Sequence, residues 1–527
     1  MSYKRKVLQG SASNMARVIL SMLVALVLPP LLVRRMAPAE YSAWVLILQC
    51  SAYVNLLDLG LQTAIGKFVA EYDTANDRTA SSRILTNSFV ILCVSAFVGA
   101  VVIITISWRV PQIFHQVPQA LIGHLRQGIL VVGLSTVFAL PFGAFLATFA
   151  GLQRYGFPTI LTMTGKLFSS AALAGLLLMH GTLIQMAGLM AACNAATALG
   201  QFFGWERYVK NRVGFSFKLI DRETALRLAK YGSVLSVWTI ATLLISGLDV
   251  VIVGHYDYKN TGYYGIAVGA TNLLLVVITS IFSPLLPAVS SMNSGRTRGQ
   301  IGELVIRVTR YCTLLICLLG LPLVFGAYPL LKLWVGHGYA IRSALFLEVL
   351  VLGNAIRMMG YPYALAVVAT GTQRLATIAA VAEAIANVTL SIYLVQRVGA
   401  VGVAIGTCAG ALVSIGVHLT VSMRLTRSTI LMLRRRFVLE AVLRPLSCVI
   451  PSIVLFPIWR RFAMLPASLP WLVPWAFFTF GTAWFIGLKS AERHGLRQLS
   501  STGRLRAILT PIPSKIWPAT PPRKSHD

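Results

Sequence analysis

The chain has 527 residues, of which 56% are hydrophobic and 12% charged, and its mean hydropathy is +0.74. That balance lies outside the range of soluble domains and is that of a polytopic membrane protein. The formal net charge of +30 is spread among apolar runs long enough to cross a bilayer, which argues against a nucleic-acid footprint.

The N-terminal stretch combines a basic start, an apolar run from Val18 to Val33 and Ala37-Pro-Ala39, so it imitates a cleaved secretory signal. Arg34 and Arg35 stand just ahead of the would-be cleavage site, and the apolar run is as long as a short spanning helix. It therefore reads as a retained first helix.

A crossing needs about 20 mainly apolar residues. Applied along the chain, that rule predicts fourteen spans, at 14–33, 41–64, 85–107, 128–150, 159–179, 182–203, 231–253, 263–290, 308–328, 343–370, 375–395, 399–423, 441–459 and 468–488. With the N-terminus inside, the inner segments hold roughly three times as many Lys and Arg as the outer ones, which puts both termini in the cytoplasm. The basic run at 432–437 and the tail from 489 then read as topology signals and contacts with anionic membrane lipids.

Seven cysteines, at 50, 93, 193, 312, 317, 408 and 448, lie in or beside apolar runs without Cys-x-x-Cys or His spacing, so neither a disulfide framework nor a metal site is expected. No Gly-x-x-x-x-Gly-Lys-Ser/Thr occurs, which excludes ATP hydrolysis by that route. No other cofactor is called for.

The chain repeats itself. "LPFGAFLATFAGLQRYG" at 140–156 matches "YPYALAVVATGTQRLA" at 361–376, with a proline, an aromatic, an apolar stretch and Gly-x-Gln-Arg. "AEYSAW" and "GYYGIA" recur at almost the same offset, at the starts of the second and eighth spans. Six spans recurring after six predict two parallel bundles related by a pseudo-two-fold axis along the membrane normal. The expected organisation is an all-α polytopic membrane protein with bundles at 1–210 and 211–425, two extra helices at 426–488 and a basic cytoplasmic tail at 489–527. Arg154 and Arg374, in the two Gly-x-Gln-Arg copies, are expected to anchor equivalent helix turns, each eased by its glycine.

"EYSAWVLILQCSAYVNLLDLGLQTAIGKFVAEY" (40–72), "GLQRYG" (151–156), "TGYYGIAVGATNLLL" (261–275), "LLKLWVGHGYA" (330–340) and "GAVGVAIGT" (399–407) together resemble the bacterial polysaccharide transporters, or O-antigen flippases. These belong to the superfamily of multidrug, oligosaccharidyl-lipid and polysaccharide exporters. The resemblance covers most of residues 10–425. It implies a flippase, not an enzyme, of the bacterial inner membrane. The implied substrate is a polyprenyl-diphosphate-linked oligosaccharide moved by alternating access, for O-antigen, capsule or exopolysaccharide, beside polysaccharide polymerase and export machinery.

Ionisable residues inside spans are costly and are functional candidates by default. Lys166, Arg357 and Glu383 lie deep in their spans, Asp249 and Asp58 lie within about two turns of a helix end, and Arg17 and Arg310 lie near the cytoplasmic boundary, where interface anchoring competes with function. A diphosphate crossing hydrocarbon needs positive charge and hydrogen-bond donors in place of water. Arg17, Lys166 and Arg357 are the expected cationic lining. Asp249, Glu383 and Asp58 are expected to balance that charge or to couple transport to a proton or sodium ion, and an Arg357–Glu383 ion pair is the structural alternative. Amides at Asn194, Asn272, Asn354 and Asn387 fit helix-to-helix bonding. A cation-coupled multidrug exporter is the second functional reading. A membrane-embedded polymerase is the third, and it lacks the large catalytic loop that such an enzyme needs.

Overall fold

The computed structural model describes residues 3–295, 300–463, 477–488, 490 and 493. These residues form helices and turns, with no strand among them. Twelve helices are long and apolar enough to span a membrane, and the expected seventh and fourteenth spans are represented by shorter apolar helices, Leu243–Tyr256 and Phe477–Gly487. The expected seventh span, 231–253, is covered by two consecutive helices, Arg222–Ser246 and Asp249–Tyr256, which break at Gly247 and Leu248. Of the fourteenth only 477–488 is described, and the basic tail lies outside the described residues apart from 490 and 493.

The first half comprises α1 (Tyr3–Arg35), α2 (Pro38–Ala52) continued by α3 (Leu61–Thr74), α4 (Arg78–Ile113), α5 (Gln119–Ala139) with α6 (Gly143–Gly151), α7 (Gly156–Leu178) and α8 (Leu183–Tyr208). A linker at 209–221 leads to the second half. This comprises α9 (Arg222–Ser246) with α10 (Asp249–Tyr256), α11 (Tyr258–Phe282) with α12 (Leu285–Ser294), α13 (Ile301–Phe325) with α14 (Ala327–Val335), α15 (His337–Ala369), α16 (Gln373–Val398) and α17 (Ala400–Val417). A further helical stretch, Arg434–Leu455, packs on α13.

The halves meet along α2 and α11. Gly262 N donates to Ser42 Oγ at 3.0 Å, and a Cβ on Gly265 would lie 3.0 Å from Val45, so both contacts join positions 220 apart. Both contacts lie near the starts of their helices, which begin at Pro38 and Tyr258. Around them, Tyr258 OH donates to Ala39 O at 2.7 Å, and Gln116 Nε2 donates to Tyr256 O at 2.7 Å. These contacts close the face of the bundle opposite the 209–221 linker. Pro30 has no N–H for the Leu26 carbonyl inside α1, and Trp334 Nε1 of the second half donates to that carbonyl at 2.6 Å.

At the linker face, Asn87 of α4 clasps the linker, donating to Leu219 O at 3.0 Å and accepting from Asp221 N at 2.9 Å. Asp221 then caps α9 through the Glu223 and Thr224 N–H groups.

The two Gly-x-Gln-Arg copies do not form equivalent turns. In the first, the left-handed residue is Gln153, and Arg154 N bonds Phe149 O at 2.8 Å. In the second it is Gly371, and Thr372 N bonds Val367 O at 3.2 Å. The helix-ending bonds match Gln153 with Gly371, so the backbone repeats at an offset of two residues from the letters. The glycine eases the turn only at Gly371. Gly151 is the last residue of α6, where a side chain would strike Val69 and the Gly66 carbonyl. Arg154 and Arg374 are both exposed, and Arg154 donates to the Tyr208 carbonyl at the end of α8 at 2.9 Å.

Arg310 is also not an interface anchor. It is 2% exposed, its Nε donates to Glu440 O at 2.9 Å and its Nη2 lies 3.3 Å from Glu440 Oε2. Arg436 joins the same network through Glu440 at 3.0 Å and through Glu303, so part of the basic run at 432–437 docks the extra helical stretch onto α13.

Candidate functional site

The polar interior lies in the second half and starts from a broken helix. α9 ends at Ser246 and α10 restarts at Asp249, leaving Gly247 O to accept from Gln49 Nε2 and Tyr53 OH of the first half, both at 2.8 Å. The break puts a helix N-terminus inside the bundle, and Asp249 occupies it, where a carboxylate complements the helix dipole. Asp249 is 3% exposed, and its Oδ2 accepts from Thr407 Oγ1 of α17 at 2.9 Å and from Tyr264 OH of α11 at 3.3 Å.

Thr407 reaches this position because α17 packs close to α16. A Cβ on Gly406 would lie 2.8 Å from Ser391 N, and one on Gly410 would lie 3.0 Å from Glu383 O. Small residues four apart allow that backbone approach between spanning helices. α16 supplies Glu383 and Asn387, and Asn387 Nδ2 ties to Ile245 O at 2.7 Å. From α15, Arg357 Nε meets Glu383 Oε1 at 2.5 Å and Arg357 Nη1 donates to Asn354 Oδ1 at 2.7 Å.

Asp249 and Arg357 line one small cavity of about 20 Å³ together with Thr271, Asn272, Asn354 and Thr407. Within it, Asp249 Oδ1 and Arg357 Nη2 are buried and have no hydrogen-bond partner among the described residues. One acceptor and one donor are thus left unsatisfied beside one small cavity. With both carboxylates and the guanidinium ionised, the cluster carries one net negative charge.

The remaining candidates lie elsewhere. Arg17 on α1 and Lys166 on α7 come within electrostatic reach of each other in the first half, so the structure brings those two cations together. Arg357 instead pairs with Glu383 in the second half. Asp58 ends the 3-10 turn Tyr53–Asp58, just before two left-handed residues, Leu59 and Gly60, and its Oδ1 is buried with no hydrogen-bond partner among the described residues. It precedes α3 and is separate from the Asp249 cluster. Sequence reasoning passed over Tyr264 and Thr407 because a hydroxyl inside an apolar span resembles any helix-packing residue. The Tyr264 and Thr407 segments had nonetheless stood out as "TGYYGIA" and "GAVGVAIGT".

The fold is that of solved membrane transporters. Over 93% of this chain and 100% of the other, it is similar to the lipid II flippase MurJ in an inward closed conformation, with a TM-score of 0.68 and 11% identity. An inward-facing multidrug resistance transporter of the MATE family follows at a TM-score of 0.62 and 13% identity, over 79% of this chain and 98% of that one. A transporter of the same MOP superfamily from Pyrococcus furiosus gives 0.56 and 13%, over 80% and 96%. Identities this low establish the fold alone. Residues 7–293, more than half of the chain, match the family described as polysaccharide biosynthesis protein, and the chain belongs to that family. No curated protein matches it in sequence.

Proposed function

We propose that the protein flips a polyprenyl-diphosphate-linked oligosaccharide from the inner to the outer leaflet of the bacterial cytoplasmic membrane, for O-antigen, capsule or exopolysaccharide. The observation that carries this reading is the pair of helical halves in contact at both faces, α2 with α11 opposite the linker and α3 with α9 beside it, in a chain of the polysaccharide biosynthesis family. Two bundles that open one of these contacts while keeping the other would work by alternating access. The excess of basic residues on the linker face supports that face being cytoplasmic and the α2–α11 contact periplasmic.

Arg17 and Lys166 supply the positive charge for the diphosphate in the first half. Arg357 can add to it by leaving Glu383. The Asp249–Arg357–Glu383 cluster, one negative charge in excess, is completed by a proton or a sodium ion, which gives a chemical basis for coupling. A cation-exporting multidrug transporter is the second reading, supported by the similarity to the MATE fold. The pairing of Glu383 with Arg357 weakens it, because that acidic group is already neutralised. The test is deletion of the gene followed by analysis of lipid-linked intermediates. Accumulation of complete oligosaccharide on the inner leaflet is expected, and unaltered intermediates reject flipping.

A further inference from the structure

At the linker face, two cations are exchanged across the seam between α3 and α9. Lys67 of α3 lies 4.5 Å from the ring centre of Tyr231 on α9 and 5.3 Å from that of Phe68. Arg227 of α9 lies 4.6 Å from the Phe68 ring on α3, and its Nη1 donates to Tyr72 OH at 2.9 Å. Phe68, 4% exposed, is therefore flanked by a lysine from its own half and an arginine from the other, with Tyr231 set edge-on at 5.6 Å.

The charge count here is unusual. Lys67 and Arg227 are both exposed, and neither forms an ion pair among the described residues. Aromatic faces attract cations but do not neutralise them. Two like charges are thus held beside one ring with their remaining N–H donors open. Both lie one to two turns from the ends of their helices, about 7 to 10 Å in at 1.5 Å per residue, and within four residues of the expected spans 41–64 and 231–253. A chain that only needed a topology signal would leave these side chains loose at the surface. Here they are positioned by rings contributed from opposite halves.

We propose that Lys67 and Arg227 form a phosphate-binding clasp that captures a lipid-borne phosphate at the cytoplasmic edge of the seam. Arginine and lysine together suit this ligand, the first through a planar fork and the second as a compact charge. The class shared by the candidate ligands is a phosphate ester on a lipid. A polyprenyl diphosphate and an anionic phospholipid both qualify. The polyprenyl diphosphate rests on the transport reading above, and the clasp itself does not.

The test uses the full chain in detergent, with farnesyl diphosphate as probe and the Lys67→Gln/Arg227→Gln double variant, against Arg374→Gln as a control on the same face. Binding weakened at least tenfold in the double variant, unchanged in the control and restored toward wild type by Lys67→Arg/Arg227→Lys supports the clasp. Unchanged binding in a double variant that melts like wild type overturns it. Competition by phosphatidylglycerol at equal concentration assigns the clasp to phospholipid, and failure to compete assigns it to the diphosphate carrier. Probe binding that depends on Lys67 and Arg227 in a wild-type protein that does not flip the carrier counts against the transport reading alone, whereas flipping with probe binding independent of Lys67 and Arg227 counts against the clasp alone.

Discussion

Ser42 of α2 and Gly262 of α11 bond to each other across the two halves, Gly262 N to Ser42 Oγ at 3.0 Å. The pair lies where the halves touch at the face opposite the linker. Because the contact is backbone to side chain and a Cβ on Gly262 would lie 2.9 Å from Ser42 Oγ, the positions are close enough to cross-link.

The first prediction follows directly. Ser42→Cys/Gly262→Cys should form a disulfide under mild oxidation and hold that face shut. Transport in vesicles is expected to stop on oxidation and to return on reduction. Undiminished transport by the cross-linked protein would show that the halves do not separate there.

The Arg357–Glu383 pair separates a structural role from a functional one. Removing one partner strands a buried charge, at a cost of about 3–5 kcal/mol, whereas replacing both by apolar residues of similar volume is close to neutral. Glu383→Gln and Arg357→Met are expected to lower the melting temperature, and Arg357→Met/Glu383→Met to recover it. If the pair serves transport, the recovered double variant remains inactive in a flipping assay. A stable and active double variant would reduce the pair to scaffolding.

Glu440 bridges two arginines on different elements. Glu440→Ala removes the carboxylate from Arg310, which is almost wholly buried, and should destabilise by about 3–5 kcal/mol, while Arg436→Ala, at a more exposed pair, should cost about 1 kcal/mol or less. Denaturation of the detergent-solubilised protein, followed by tryptophan fluorescence, gives the comparison. Equal losses would mean that Arg310 finds another partner.

Asp221 carries a pH dependence outside the membrane. The Thr224 hydroxyl and N–H, then the Glu223 N–H and Arg83, hold its carboxyl below the usual carboxylate range. A depressed folded-state value means that the ionised cap stabilises the start of α9 above the ordinary aspartate value near 4, and that this contribution fades as pH falls through the lower folded value. In acid titrations Asp221→Asn, which keeps an acceptor but no charge, should show a weaker loss of stability than wild type below about pH 4. Identical acid profiles for the two proteins would exclude this contribution.

Much of the fold was legible in the sequence because each span is set by local composition. The interior was less so. Asp249 lies close to a helix end along the chain, and the break at Gly247 sets that end inside the bundle. Arg357 and Glu383 are deep charges by position, and whether they pair depends on how α15 packs against α16. Arg310 looked like an interface residue because the carboxylate that buries it, Glu440, is 130 positions away and follows a run of arginines. Charge partners across helices carry no local signature, whereas hydrophobic length does.

The shifted turns at Gln153 and Gly371 affect how findings from one half are carried to the other. Two residues of slippage rotate a position by about 200° around a helix. A substitution transplanted by lining up the shared Gly-x-Gln-Arg would therefore land on nearly the opposite side of its helix, so mutational scans of the halves must be registered on the backbone and not on the letters.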